Sequence, residues 1–248
     1  MVRDKLRLGK VSYKNTLPLF YDWKLPPDRF QIVEGTPSEL ASKLNLGMLD
    51  GGIISTLYFV QNKSRFALMP DVSISSFGPV KSVLIFSEKP LEKIETLRPS
   101  AESLSSNFIV YSLFRGFLKR KTAFVKDGRK TDAVLVIGDR ALEMAKRKTH
   151  PYVYDVGQLW FEFTNLPAVF ALFIVPLRWT YEYPQLAAQL ALTLIESKEK
   201  FFKNLESMDF DEELKEYLRN LNYNFGEEHL KSVLLLEELF HRYVRGEL

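Results

Sequence analysis

The stretch "FQIVEGTPSELASKLNLGMLDGGIIS", residues 30–55, decides the fold class, because it predicts a strand, a helix and a second strand in direct succession. Thr36 before Pro37, with Glu39 three residues after the threonine, is typical of a helix start with a capping box, and Gly47 is a helix stop. The apolar runs on either side are short enough to be strands. Such a unit predicts parallel strands with a helix packed on their sheet.

The same alternation continues along the chain and predicts an α/β fold with mixed, mainly parallel sheets and helices on both faces. Further strands are expected at 6–11, 81–87, 133–138, 152–156 and 168–175, and helices at 55–62, 105–118 and 139–148. The C-terminal segment predicts two long helices that return to cover the first sheet. On the second of them an apolar stripe recurs at spacings of three and four, which is typical of packed core: Val233, Leu236, Leu239, Phe240 and Tyr243.

The composition excludes several classes of function. The 248 residues are 46% hydrophobic and 26% charged, with a net charge of +3 and no run of five or six like charges, so we expect no nucleic-acid partner. Cysteine is absent, which excludes disulfides and thiolate chemistry. The start "MVRDKLRLGKVSY" lacks the apolar core of a secretory signal, and no apolar run is long enough to span a bilayer. We therefore expect a cytoplasmic protein with no membrane partner.

Signatures of catalysis by metals or nucleotides are absent from the sequence. His150, His229 and His241 have no second histidine at metal-ligand spacing, so we predict no metal site and no cofactor. The sequence contains no G-x-S-x-G, Walker or G-x-G-x-x-G motif. The pair Gly51-Gly52 is interpreted as a tight entry into a strand rather than as a phosphate cradle.

Small polar residues follow the predicted strands at the points where helices begin. Each of them alone is explained by helix capping. Together they indicate a ligand crevice, because the carboxyl ends of parallel strands meet at one edge of a sheet and helix N-termini there favour anions. A small polar carboxylate is the predicted ligand. The residues are Asn15, Ser55, Thr56, Ser103, Ser105, Ser106, Gly138 and Asp139.

The segment after the first strand, "VSYKNTLPLFY" (11–21), leaves two interpretations open: a turn that satisfies its own backbone, and a pocket for a polar ligand. With "GTPSELASKLNLGMLDGGIIST", "GPVKSVLIFS", "SLSS", "AVLVIGDRAL" and "YVYDVGQLWFEFTNLPAVFALFIV" it occurs in an order that resembles the menaquinone biosynthesis protein family. Within that family the opening S-Y-x-N-x-x-P resembles the chorismate dehydratase branch. The resemblance covers residues 6 to about 178 well and the C-terminal helices weakly.

The resemblance implies a two-lobed fold, that of the type 2 periplasmic binding proteins, with a ligand cleft between the lobes. Lobe one would comprise 1–86 plus 176–248 and lobe two 87–175. The implied reaction removes water from chorismate, a small dicarboxylate, to give 3-[(1-carboxyvinyl)oxy]benzoate in the futalosine pathway. Asn15 and Ser82 match the family's polar pair at the ring and are the expected catalytic residues.

Substrate binding is expected from the other polar residues at the strand ends: Ser55, Thr56, Ser105, Ser106, Gly138 and Asp139. No Glu or His stands out as the base, so a carboxylate of the substrate itself is the candidate. Tyr154, Asp155 and Trp160 are assigned to packing and hinge structure. Two alternatives stay open: a binding protein for small carboxylates without catalysis, and the sister 1,4-dihydroxy-6-naphthoate synthase. The sequence gives no indication of the oligomeric state.

Overall fold

The computed structural model describes residues 5–126 and 128–244, which form an α/β protein. The strands are β1 (Leu6–Val11), β2 (Phe30–Gly35), β3 (Gly51–Ser55), β4 (Phe66–Ser76), β5 (Val83–Ser87), β6 (Thr96–Arg98), β7 (Ala123–Phe124), β8 (Ala133–Ile137), β9 (Tyr152–Asp155) and β10 (Ala168–Pro176). The helices are α1 (Pro37–Asn45), α2 (Thr56–Asn62), α3 (Leu104–Ser112), α4 (Asp139–Arg147), α5 (Val156–Thr164), α6 (Trp179–Glu182), α7 (Pro184–Asn204), α8 (Glu212–Asn220) and α9 (Glu227–Val244).

The chain divides into two compact units, each built on a five-stranded mixed sheet. Unit 1 comprises the chain up to Ser75 together with Val169–Gly226, and its strand order is β2-β1-β3-β10-β4. Unit 2 comprises Ser76–Ala168 and the chain from Glu227 onward, with the order β7-β6-β8-β5-β9. In unit 1, β1 is parallel to β2 and β3, whereas β10 is antiparallel to β3. In unit 2, β6 is parallel to β7 and β8, and β5 is antiparallel to β8 and β9.

The strand–helix–strand unit at residues 30–55 forms as predicted. Thr36 caps α1 through a complete capping box, in which the Glu39 N–H donates to Thr36 Oγ1 at 3.3 Å and the Thr36 N–H donates to Glu39 Oε2 at 2.8 Å. Gly47 follows the helix with a φ of +64°. Leu40 is fully buried, and its side chain lies over the backbone of β1 at Gly9. The cap therefore sets where the helix begins, and Leu40 fixes the helix to the sheet.

The glycine pair at the start of β3 is required by close strand packing, which confirms the predicted tight strand entry. Gly52 has a φ of +129°, and a Cβ built on it would collide with the backbone N and O of Gly9. A Cβ built on Gly51 would collide with the carbonyl oxygen of Ile174. Since β3 lies between β1 and β10, side chains at these positions would force the two neighbouring strands apart.

The strand predicted at 81–87 is β5, which lies between β8 and β9 in the sheet of unit 2, and all of its residues are buried. Asp132 connects the start of β6 to the start of β8 through hydrogen bonds. Its carboxylate accepts the N–H groups of Glu95 at 2.9 Å and Thr96 at 3.0 Å, and lies 2.8 Å from Lys89 Nζ. Burial raises the pKa of Asp132, but the hydrogen bonds from Lys89, Glu95 and Thr96 and the charge of Lys89 together lower it to about 2.

The observed units differ from the expected lobes, and three assignments are corrected. Strand β5 belongs to the sheet of unit 2, although 81–86 was expected in lobe one, and β10 belongs to the sheet of unit 1, although 168–175 was expected in lobe two. Helix α9 belongs to unit 2 rather than to lobe one. The reason is that the apolar stripe of α9 packs on α3, where Phe240 contacts Phe108 and Tyr243 contacts Tyr111. The stripe was expected to be core, and it is buried at Val233, Leu236 and Leu239.

Several elements were not predicted from the sequence, namely β4, β6, β7, α5, α6 and α8. The helix expected at 105–118 is α3 followed by a π-helical turn at Leu113–Phe117. In this turn Gly116 allows close approach of the Tyr243 hydroxyl, which would lie 2.8 Å from a Cβ built there.

Substitution of Gly52 by alanine is expected to destabilise the fold strongly, because the new methyl group collides with backbone atoms of β1 that cannot move aside. Gly47→Ala is the matched control, since Gly47 also has a positive φ but no atom lies within 4 Å of its Cβ position. The control should lose about 1–2 kcal/mol from the left-handed backbone alone. Urea unfolding should show a clearly larger loss for Gly52→Ala, and equal losses would contradict the packing argument.

Asp132→Asn is expected to lower the free energy of unfolding near neutral pH by about 1–2 kcal/mol, because the single oxygen Oδ2 that accepts both the Glu95 and the Thr96 N–H groups becomes a neutral, weaker acceptor. Solvent screens the accompanying pair with Lys89. The pKa of Asp132 is lower in the folded protein than its ordinary value of 3.8, so this contribution is present above that value and is lost as the pH falls toward about 2. Unfolding curves of wild type and variant should converge in acid; a difference that does not depend on pH would contradict the assignment.

Candidate active site

Unit 1 brings three of the predicted site residues to one edge of its sheet. Strands β1 and β3 are parallel neighbours with Gly9 paired to Gly52, so their carboxyl ends lie side by side. A 3-10 helix that contains Asn15 (Lys14–Phe20) follows β1. Ser55 is the last residue of β3, and Thr56 is the first residue of α2. Asn15, Ser55 and Thr56 therefore follow or end two adjacent parallel strands of unit 1, the positions expected from the order of elements.

The turn after β1 is closed by Thr16 and not by Asn15. Thr16 is fully buried, and its Oγ1 lies 2.9 Å from the carbonyl oxygens of both Val11 and Tyr13. The Thr16 N–H also donates to the Tyr13 carbonyl at 3.1 Å. By contrast, the buried Oδ1 of Asn15 has no hydrogen-bond partner. The backbone of this turn is thus satisfied without the Asn15 side chain, whose carbonyl oxygen is left for another group.

Thr56 shows the same feature on the neighbouring strand. Its side chain is fully buried, and Oγ1 has no hydrogen-bond partner. Ser55 occupies the N-cap position of α2 but makes no side-chain cap bond, so capping does not explain this pair. A buried polar atom without a partner costs about 1–3 kcal/mol and calls for an explanation. The described residues contain three other such atoms, Arg98 Nε, Ser112 Oγ and Tyr223 Oη; Asn15 and Thr56 are distinguished by following adjacent parallel strands.

Unit 2 places Ser82 next to Gly138. Val83 pairs with Ile137 at the ends of β5 and β8, and the Gly138 N–H donates to the Ser82 carbonyl at 2.8 Å. Gly138 has φ +67° and ψ −152°, a region open essentially to glycine alone. It directly precedes Asp139, the first residue of α4. Ser82 is 2% exposed, and its main chain lies beside the residue that precedes α4.

Ser105 and Ser106 lie in the first turn of α3, which follows β6. Because β6 and β8 are parallel, their carboxyl ends face the same edge of the sheet as Gly138. The capping interpretation holds for Ser103, whose Oγ accepts the Ser106 N–H at 3.1 Å and donates to Ser106 Oγ at 2.9 Å. Ser105 and Ser106 are both buried. The structure thus brings five predicted residues to one sheet edge in unit 2: Ser82, Ser105, Ser106, Gly138 and Asp139.

Asp155 contributes to this edge in a way that sequence analysis did not foresee. It caps α5 by accepting the Gln158 N–H at 3.1 Å, and it also accepts the N–H groups of Val80 at 2.9 Å and Lys81 at 2.7 Å. The packing roles expected of the nearby residues are observed: Trp160 Nε1 donates to Ser232 Oγ at 3.1 Å, and the Tyr154 hydroxyl accepts the Leu91 N–H at 2.8 Å.

The donor set of the site is made of amides, hydroxyls and helix N-termini. Within residues 5–126 and 128–244, no three His, Cys, Asp or Glu side chains lie close enough to hold a metal ion together. His241 and Glu237 form a pair 3.5 Å apart along α9. Over the same residues, no helix has both the length and the apolar character needed to cross a membrane. Groups of this kind suit an uncharged or anionic polar ligand.

Comparison with known proteins identifies the family. The profile of a family described as menaquinone biosynthesis matches residues 6–242. The chain belongs to the menaquinone biosynthesis family. A protein named chorismate dehydratase from Thermus thermophilus is 27% identical over 198 residues, which cover 70% of this chain and 69% of that relative.

Solved structures show that the fold is that of periplasmic binding proteins. The aliphatic sulphonate binding protein SsuA from Escherichia coli is 15% identical with a TM-score of 0.64, over 98% of this chain and 94% of that chain. A Candida albicans protein with the generic periplasmic binding protein fold is 10% identical with a TM-score of 0.67, over 98% and 90%. At these identities the likeness establishes the fold alone, and this is the fold that the family resemblance implied.

Thr56→Val is expected to leave the stability of the ligand-free protein unchanged or slightly higher, because the hydroxyl it removes has no partner. Thr16→Val is the matched control: it has the same change of shape at a fully buried threonine, but its hydroxyl is hydrogen-bonded. The control should lose about 1–2 kcal/mol in urea unfolding. A loss of similar size for Thr56→Val would show that Thr56 Oγ1 has a partner within the protein.

Proposed function

We propose that this member of the menaquinone biosynthesis family is a chorismate dehydratase, which eliminates water from chorismate to give 3-[(1-carboxyvinyl)oxy]benzoate in the futalosine pathway, in the cytoplasm. The family and the relative named chorismate dehydratase support the assignment. The structural observation that carries it is the pair of buried, unpartnered oxygens, Asn15 Oδ1 and Thr56 Oγ1, at the ends of adjacent strands. A polar ligand that binds there would supply the missing partners.

The proposed reaction suits a site made of hydroxyls and amides. The ring hydroxyl leaves, and a proton leaves the adjacent ring carbon that bears the ether oxygen, so one water is lost and the ring becomes aromatic. The step is neither an oxidation nor a reduction of the substrate. Formation of the aromatic ring makes it strongly favourable. The protein therefore has to bind two carboxylates, align the breaking bonds and exclude bulk water.

In unit 1, Asn15 acts on the leaving group. An amide oxygen accepts hydrogen bonds, so Asn15 Oδ1 is suited to the O–H of the substrate, and its NH₂ group is suited to an oxygen. Thr56 Oγ1 can donate to a carboxylate, and Ser55, which lacks a cap bond, is assigned to the same carboxylate. Binding at this edge would relieve the cost of two buried polar atoms and favour the bound state.

In unit 2, Ser82 donates a hydrogen bond at the ring, and Ser105 and Ser106 bind a carboxylate at the first turn of α3. The start of α4 contributes through the N–H groups that follow Gly138. Asp139 takes part through its main chain, since its carboxylate would repel an anion and is instead favourable at a helix N-terminus. No protein side chain is assigned as the base; a carboxylate of the substrate accepts the ring proton.

Asn15→Ala and Ser82→Ala are each expected to lower kcat for chorismate by about 100-fold, the usual cost of removing one group that acts in the transition state. Ser207→Ala, an exposed hydroxyl in unit 1, is the control and should leave turnover unchanged. Steady-state kinetics with purified protein and chorismate give the measurement. Wild-type turnover in both site variants would contradict the assigned roles.

The two alternative functions give different results with the same protein. A binding protein would be stabilised by a small carboxylate in thermal unfolding but would return chorismate unchanged. The sister synthase would leave chorismate unchanged and act on a substrate that occurs later in the same route. Either result would contradict the dehydratase proposal.

A further inference from the structure

We propose that Asp155 is a positioning residue for Ser82, an inference that rests on the dehydratase function proposed above. Its two carboxylate oxygens accept the N–H groups of Val80 and Lys81, the two residues immediately before Ser82. Val80 is 75 positions and Lys81 is 74 positions away from Asp155 in the chain, so both bonds are long-range. A carboxylate at the start of α5 thus holds the backbone that leads into the proposed catalytic serine.

The capping of α5 explains only part of this arrangement. Oδ1 accepts the cap bond from the Gln158 N–H at 3.1 Å and the bond from Val80 at 2.9 Å. Oδ2 accepts the Lys81 N–H at 2.7 Å, the shortest of the three bonds. One oxygen is therefore enough for the helix cap, whereas the second binds the residue adjacent to Ser82.

The loop before Ser82 needs such a partner. Lys81 has a φ of +63°, a left-handed conformation that costs a residue other than glycine about 1–2 kcal/mol. A hydrogen bond from its N–H to a charged acceptor offsets this cost. The loop also packs directly on α5, because a Cβ built on Gly157 would lie 2.6 Å from the Gly78 carbonyl oxygen. Both contacts fix the loop to the first turn of one helix.

Ser82 is held on its other side by the neighbouring strand end. Its carbonyl oxygen accepts the Gly138 N–H at 2.8 Å, while the N–H of the residue before it is bound by Asp155. With the main chain bound on both sides, the direction of the Cα–Cβ bond of Ser82 is set before substrate binds, and the hydroxyl is limited to the few rotamers about that bond. Such preorganisation matters because a displacement of about 1 Å can cost about 100-fold in rate.

Burial disfavours the charged form of Asp155. Burial raises the pKa of its carboxyl group, although hydrogen bonds from the N–H groups of Val80, Gln158, Lys81 and Gly157 lower it. A carboxyl group whose pKa is higher in the folded than in the unfolded protein destabilises the fold once the pH exceeds both values. Asp132 in the same unit has the opposite shift and stabilises the fold. Titratable groups whose pKa values are shifted by burial cluster at functional sites.

Asp155→Asn separates the capping of α5 from the positioning of Ser82. Asparagine is as good an N-cap as aspartate, so the amide keeps Oδ1 for Gln158 but presents an NH₂ group to the Lys81 N–H. We expect kcat for chorismate to fall about 10–100-fold with KM changed less than about threefold. The melting temperature should fall only slightly, because removal of a charge that burial disfavours partly offsets the lost bond from Lys81. Asp155→Ser, a cap with a single oxygen, is the second variant should Asp155→Asn not fold. Asp132→Asn, the matched control, should lower the melting temperature and leave kcat unchanged.

A double-mutant cycle tests whether Asp155 acts through Ser82. In a Ser82→Ala background, Asp155→Asn should cause no further loss of kcat, because the group that it positions is already gone. The same fold loss in both backgrounds would show a separate role and overturn the proposal.

Hydrogen exchange tests the positioning without reference to activity. In Asp155→Asn, amides in the segment 78–83 should exchange faster than in wild type, whereas Asp132→Asn should leave this segment unchanged. Unchanged exchange in Asp155→Asn overturns the proposal whether or not the protein acts on chorismate. Failure of the wild type to convert chorismate would instead contradict the proposed function and remove the catalytic part of this one.

Discussion

The close packing of β3 between β1 and β10 is the constraint on which unit 1 depends. It is possible only because Gly51 and Gly52 lack side chains at the points where the backbones meet. That contact fixes the register of β3 against β1, and the register brings the ends of both strands to the same level. Asn15, Ser55 and Thr56 share one edge of the sheet for this reason, so a packing requirement at the start of β3 determines where polar chemistry is presented at its end.

Polar side chains next to the strands are of two kinds: those that are hydrogen-bonded within the protein and those that are not. The first kind has a structural role, and the second kind is the candidate for a functional role. Thr16, Ser103 and Asp132 satisfy backbone groups and stabilise turns and helix starts. Asn15 and Thr56 have buried oxygens that satisfy nothing within the described protein. A fold optimised for stability alone would replace the latter with apolar side chains of the same shape. Their retention is understandable if the ligand is the partner that completes them.

Much of the fold could be predicted from local signals. The helix α1 has a complete set of start and stop residues, and β5 is a short apolar run. Strand β4 was missed because Pro70 and Asp71 interrupt it with the residues of a turn; Asp71 has a φ of +53° and is held by the buried Lys198 ammonium group at 2.7 Å. The sequence of α9 showed which face is buried but not that α3 covers it, since periodicity carries no information about the partner.

For the candidate site, the positions of the residues could be predicted from the sequence, but their hydrogen-bond partners could not. Strand-end positions follow from the order of elements, but whether a hydroxyl at such a position is already paired depends on contacts that the sequence does not reveal, as Ser103 and Thr56 illustrate. The most direct test of the account is the mass of the product formed when the purified wild-type protein is incubated with chorismate. The account predicts a product lighter by one water that keeps the enolpyruvyl group. Recovery of chorismate unchanged, from protein that is folded and binds it, would contradict the account.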